Sequence, residues 1–88
     1  GVVNRLTEPG GADAEAIALA ARLAEGPEQA TARIKTLCRE AMSNTLDAQL
    51  DREAEFMVEA QGTAESAEGI GAFLNKRTPD YVALRSRR

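Results

Sequence analysis

Apolar positions recur along this chain with two different spacings. At the start, "GVVNRL" (1–6) sets two β-branched residues and a Leu ahead of "TEPGG". β-Branched residues bounded by Pro-Gly-Gly predict a short strand. From residue 12 onward the spacing becomes helical. In "ADAEAIALAARLAEGP" (12–27), Ile17, Ala20 and Leu23 share a face with Ala16 and Ala24. Asp13 and Glu15 stand in the first turn, where the helix dipole favours acids. Gly26 and Pro27 close this helix and open the next.

The stretch "PEQATARIKTLCREAM" (27–42) has the cleanest period. Ala30, Ile34, Leu37, Cys38 and Ala41 fall at i, i+4, i+7, i+8 and i+11, with Arg33, Lys35, Arg39 and Glu40 outside the stripe. Cys38 there reads as a small buried hydrophobe. "SNTLDAQLDREAEFMVEAQGT" (43–63) opens on good cap residues. Leu46, Leu50, Ala54 and Met57 line one side; Phe56 and Ala60 widen it one way and Val58 the other. An arc this wide predicts contact with two neighbours. Glu53 falls inside it and is expected to pair with an Arg or Lys across a helix interface, because an unpaired buried charge is expensive.

"TAESAEGIGAFLNKR" (63–77) has Thr63 as its cap and Ala67, Ile70, Phe73 and Leu74 as its inward face. Gly69 and Gly71 each cost up to about 1 kcal/mol of helix propensity. Their expected use is close approach of another backbone. Pro79 stops the helix, and "DYVALRSRR" trails off. The predicted fold is mainly α: a short N-terminal strand followed by about four helices.

Composition changes the picture in one respect. Apolar residues make up 43% of the chain, but 17 residues are Ala and three are aromatic. Transfer energy scales with apolar area, at ~25 cal/mol per Å², so small side chains contribute little. A chain of 88 residues is also short for burying a large fraction of its surface. It is expected to lean on a partner subunit or on the rest of a longer protein. Gly1, standing inside an apolar run, reads either as the start of a processed or trimmed chain or as the start of a piece cut from a larger enzyme.

Charge is placed unevenly. Residues 1–68 carry 6 basic and 13 acidic side chains, and residues 69–88 carry 5 and 1. The basic excess centres on "GIGAFLNKRTPDY" (69–81), where an apolar helix turns abruptly basic. With no His and one Cys, the chain offers no His-based triad, no disulfide framework and no His/Cys metal set. Gly-x-Gly at 69–71 lacks a preceding strand and is not a dinucleotide fingerprint. The pair Asp51 and Glu55 reads as solvated surface. No apolar run approaches the ~20 residues of a membrane span. Neither nucleic acid, membrane nor metal is expected as a partner, and a cytoplasmic location fits. No residue is assigned to catalysis. Composition and periodicity alone leave two classes open: a free-standing helical oligomerisation module, or the accessory part of an enzyme. Reading the sequence upstream would separate them.

The order of the motifs carries a resemblance. "GVVNRL", an Ala-rich helix ending "GP", a helix with "IKTL", then "NTLDAQLDREAE" and "TAESAEGIGAFLNKRTPDY" follow one another. The succession resembles the C-terminal part of the crotonase superfamily, the enoyl-CoA hydratases and isomerases. Its closing motif, E-G-x-x-A-F-x-x-K-R-x-P-x-(F/Y), is matched by Glu68-Gly69, Ala72-Phe73, Lys76-Arg77, Pro79 and Tyr81. The resemblance implies a residual strand (1–6) of an N-terminal core, a C-terminal helical trimerisation domain (7–84) and a basic tail (85–88).

It also implies a parent enzyme that hydrates or isomerises enoyl-CoA thioesters through an enolate held in an oxyanion hole. The catalytic groups would lie upstream of Gly1, leaving these residues without catalysis of their own. Acyl-CoA would be the parent's substrate, no cofactor is needed, and the assembly would be a homo-oligomer, trimer or hexamer. In such enzymes the final helix reaches the adenosine end of CoA, often in a neighbouring subunit. Carried over, the contacts are Phe73, an apolar wall, and Lys76, a mobile charge near phosphates. Arg77 is expected to serve a salt bridge or the helix end instead.

Overall fold

Capping chemistry sets where the helices begin. The computed structural model describes residues 1–87, in which five helices follow one another: α1 (Ala12–Ala24), α2 (Glu28–Glu40), α3 (Leu46–Ala60), α4 (Ala64–Leu74) and α5 (Tyr81–Ser86). Thr45 accepts a hydrogen bond from the Ala48 amide at 3.2 Å, and Thr63 one from Ser66 at 3.2 Å. Asp80 does the same for Ala83 at 2.9 Å. Each side chain satisfies an amide that the first helical turn leaves without a partner.

Helix α2 lacks such a cap, because its N-cap residue is Pro27. A distant carboxylate supplies it. Both oxygens of Glu65 accept from the Gln29 amide at 3.1 Å, and Oε2 also accepts from Ala30 at 3.4 Å. Glu65 stands in the first turn of α4 and is the buried charged residue among those described. One carboxylate thus serves the positive ends of two helices and pins them together.

Helices α2 and α3 pack against each other. Arg33 pairs with Glu59 at 3.5 Å and Glu40 with Arg52 at 3.1 Å, so the two run antiparallel. The Gln49 side chain donates to the Leu37 carbonyl at 3.2 Å. Phe56 lies under the guanidinium of Arg52, 4.4 Å from the ring centroid, with Arg33 at 6.0 Å. Helix α5 returns onto α4. Arg85 then reaches back across the chain, donating to the carbonyls of Ala24 at 2.7 Å and Gly26 at 2.6 Å. That contact satisfies carbonyls at the C-terminal end of α1.

These polar pins do not enclose a core. Ala72 is the apolar residue buried below the surface among those described. The accessible area is 7197 Å², where a compact monomer of this mass would show about 5,000 Å². The radius of gyration is 16.3 Å, against about 12 Å for a compact chain of this length. The excess area, about 2,000 Å², exceeds the ~800 Å² that each partner gives to a standard interface.

Several sequence expectations need correction. Residues 1–6 form no strand; Val2, Val3 and Leu6 are exposed. A strand exists through its ladder, and the described residues contain no second strand to pair with. Arg5 instead bonds Glu15 of α1. The described residues hold five helices, because the Asp80 cap starts α5 in the stretch read as trailing off. Arg85 of the expected basic tail is a structural anchor, and Arg88 lies outside the described residues. Cys38 is exposed, since its stripe on α2 is only partly covered by α3. Glu53 is exposed and unpaired among the described residues; the bridges to α2 are made by its neighbour Arg52, with Glu40, and by Glu59, with Arg33. On α4 the faces are exchanged: Ala67, Ile70, Phe73 and Leu74 are exposed, and Glu65 and Ala72 point inward.

Candidate functional site

The C-terminal end of α4 brings the two proposed ligand contacts together. The helix stops at Leu74, and the chain reverses through a paired set of backbone bonds. The Lys76 amide donates to Phe73 at 3.2 Å, and the Arg77 amide donates to Ala72 at 3.0 Å. This is a Schellman ending, which requires a left-handed residue just past the cap. Lys76 holds that position with φ 51°, and it is the non-glycine residue with positive φ among those described. Glycine is the usual occupant, since a Cβ there costs roughly 1–2 kcal/mol. A lysine persists where the surroundings over-determine its conformation.

The surroundings do so through Glu68. Its two oxygens accept from the two terminal nitrogens of Arg77, the Nη2 contact measuring 3.0 Å. Oε1 also accepts from the Asp80 amide at 2.7 Å. The Arg77 guanidinium adds a bond to the Thr78 carbonyl at 3.2 Å, and the Asn75 amide side chain donates to Gly71 at 2.7 Å. Loop 75–80 is therefore closed at both ends on α4. The Arg77 fork and the Asp80 N–H hold the Glu68 carboxyl down to about 2 from a usual 4.5, and the same pairing raises Arg77. Forked, charge-assisted bonds of this kind fix geometry as well as charge. The expectation that Arg77 serves a salt bridge holds.

Held in this frame, Lys76 is exposed and makes no ion pair with a described residue. The Phe73 ring, three residues earlier, is 82% exposed. An uncovered phenyl ring and a free ammonium share one helix end, a combination suited to a ligand with an aromatic or apolar part and phosphates.

Gly69 has a different use from the one its spacing suggested. A Cβ there would stand 2.8 Å from the Tyr81 hydroxyl, so the close approach is by the phenol of α5 and not by a backbone. Gly71 faces open space. Along the first turns and the middle of α4, away from Phe73 and Lys76, an apolar concavity of about 390 Å³ runs between α2, α3, α4 and α5, lined among others by Ala30, Met57, Gly69, Ile70 and Tyr81. Among the described residues, no group of three His, Cys, Asp or Glu could hold a metal ion, and no helix is long and apolar enough to cross a membrane. Sequence reading missed Glu65, Glu68 and Arg85 as organisers. A carboxylate four residues before the motif's Gly69-x-Gly71 gave no signal of the helix end it caps 35 residues upstream.

Comparison with known proteins follows the same residues. A family model described as enoyl-CoA hydratase/isomerase matches residues 1–83. The chain is 44% identical over 65 residues to a probable enoyl-CoA hydratase of Rhodobacter capsulatus, covering 74% of this chain and 25% of that protein. It is 41% identical over 64 residues to a 1,2-epoxyphenylacetyl-CoA isomerase of Escherichia coli, covering 73% and 24%. Its structure resembles the crystal structure of an enoyl-CoA hydratase from a Polaromonas species, with a TM-score of 0.87 at 42% identity, over 91% of this chain and 31% of that one. The chain spans about a quarter of the length of the curated relatives it matches.

Proposed function

The chain belongs to the enoyl-CoA hydratase/isomerase family, and from that premise we propose that it is the C-terminal helical part of an enzyme acting on acyl-CoA thioesters. The reaction would be hydration or double-bond isomerisation, with the enolate stabilised by oxyanion-hole amides. Those amides and the acid–base groups belong to the part of such an enzyme outside these residues, and no residue of this chain is given a role in the bond-making step. The relatives support the substrate class, since the two hydratases and the isomerase it resembles are all named for CoA compounds. They divide between hydratase and isomerase, and the chemistry of this chain favours neither. A cytoplasmic location accords with this reading.

Two tasks remain for these helices. The first is assembly. The single observation that carries it is the surplus of exposed apolar surface: Ile34, Leu46, Leu50, Met57 and Val58 on α2 and α3 are all uncovered. Exposed large apolar side chains gathered on two neighbouring helices suit an interaction surface. They are suited to the remainder of the enzyme and to a second copy in a homo-oligomer, trimer or hexamer. The second task is the edge of the CoA site, where Phe73 offers a wall to the adenine and Lys76 a charge to the phosphates.

Lys76→Ala in the intact enzyme tests the second task. It should raise KM for an enoyl-CoA by up to about tenfold, the value of one charge-assisted contact. The kcat should change little, because the contact is remote from the reacting bond and is made equally in ground and transition states. An unchanged KM removes Lys76 from the site.

A further inference from the structure

We propose that Glu68 and Arg77 are positioning residues for the nucleotide end of the acyl-CoA substrate, acting by holding Lys76 in its left-handed conformation at the end of α4. The inference rests on the reading of Lys76 as a CoA contact and adds the device that aims it. Three observations carry it. Lys76 occupies with φ 51° a position where glycine is the ordinary residue. The residues on either side of it are tied down independently: Asn75 to Gly71 by its side chain, Arg77 to Glu68 by a two-nitrogen fork. Glu68 in turn takes the Asp80 amide, so one carboxylate fixes the chain that follows Lys76 at two points, Arg77 and Asp80.

The Glu68 side chain is 17% exposed, and Arg77 is half exposed at 48%. An exposed ion pair alone would contribute little. Here the carboxylate's three hydrogen bonds all converge on the loop, and the charged group left over is the Lys76 ammonium. A flexible lysine on a free loop loses much of its rotamer and backbone freedom when it meets a phosphate; a loop already ordered loses less, and affinity rises accordingly. The consequence is specific to ligands that reach Lys76.

The discriminating pair of substrates is an enoyl-CoA and the matching enoyl-pantetheine thioester, which lacks the nucleotide and its phosphates. In the intact enzyme, Glu68→Gln should lower the preference for the CoA thioester in kcat/KM by about three- to tenfold, with the change in KM. Turnover of the pantetheine thioester should be unaffected. Arg77→Lys, which keeps the charge and loses the fork, should behave in the same way and serves if Glu68→Gln is poorly folded. Combining Glu68→Gln with Lys76→Ala should cost no more than Lys76→Ala alone, since both act on one contact. If Lys76→Ala lowers the preference and neither clamp variant does, the positioning role is overturned while the CoA reading stands. If Lys76→Ala leaves the preference unchanged, the CoA reading falls and the positioning role with it. If the clamp variants slow both thioesters equally, Glu68 and Arg77 are merely structural and the proposal is overturned.

Discussion

The α4–α5 corner and the α2–α3 hairpin solve the same problem with different materials. At the corner, polar groups meet in fixed geometry: Glu68 with Arg77 and the Asp80 amide, Tyr81 over Gly69, and Arg85 on the carbonyls of Ala24 and Gly26. The hairpin has its own bridges, yet its apolar stripe stays open, with Ile34 59% and Met57 65% exposed. The corner sets the direction of the chain and the hairpin leaves its adhesive side outward. The chain is therefore held in shape by polar pins, with its larger apolar side chains left exposed. Glu65 joins the two regions, since it belongs to α4 and caps α2.

The comparison breaks most readily at that joint. Glu65→Ala leaves the first amides of α2 without acceptors and should destabilise the intact protein by about 1–3 kcal/mol, read as a fall in melting temperature. Glu65→Gln retains an acceptor and should cost less. An alanine variant as stable as the parent would mean that the two regions are not pinned there.

The two glycines of α4 sharpen the contrast on a smaller scale. At Gly71 an added Cβ meets nothing within 4 Å, so Gly71→Ala should stabilise the chain by up to about 1 kcal/mol through helix propensity. Gly69→Ala carries the same gain but forces the Tyr81 hydroxyl to move from 2.8 Å, and should yield less or turn unfavourable. Denaturant unfolding of the two variants measures the difference. Gly71→Ala destabilising the intact protein would show that something outside these residues covers this face.

The smallest effect is one of pH. The folded Glu68 carboxyl sits at about 2, below its usual 4.5, because Arg77 and then the Asp80 amide bond the charged form, with Arg87 also nearby. Its contribution is present above 4.5 and is lost as pH falls from there through about 2. Hydrogen exchange at the Asp80 amide should accelerate in that window relative to amides inside α3. Uniform exchange behaviour in the two regions would remove the distinction between them.

Much of this was legible in the residues. Thr45 and Thr63 announce α3 and α4 because a cap acts locally, on an amide three residues away, and the helical period from 28 to 60 needs only neighbours in sequence. The closing motif from Glu68 to Tyr81 pointed to the family that the comparisons then showed. Three readings failed for one reason. The strand at 1–6, the burial of Cys38 and the inward face of Phe73 and Leu74 each require something packed against them, and apolar pattern records a wish for cover without saying where the cover is.

The sequence by itself determined the helices, their caps, the surplus of alanine over large side chains, and the lysine and phenylalanine at the end of α4. Those are properties of short windows, governed by backbone propensity and local hydrogen bonds. Only the tertiary structure decided that Glu65 would cap a helix from 35 residues away, that Arg85 would close the α1–α2 turn, and that Glu68 would hold Lys76 left-handed. Such bonds join groups distant along the chain, and their partners are chosen by which orphan amide or carbonyl the fold brings within reach.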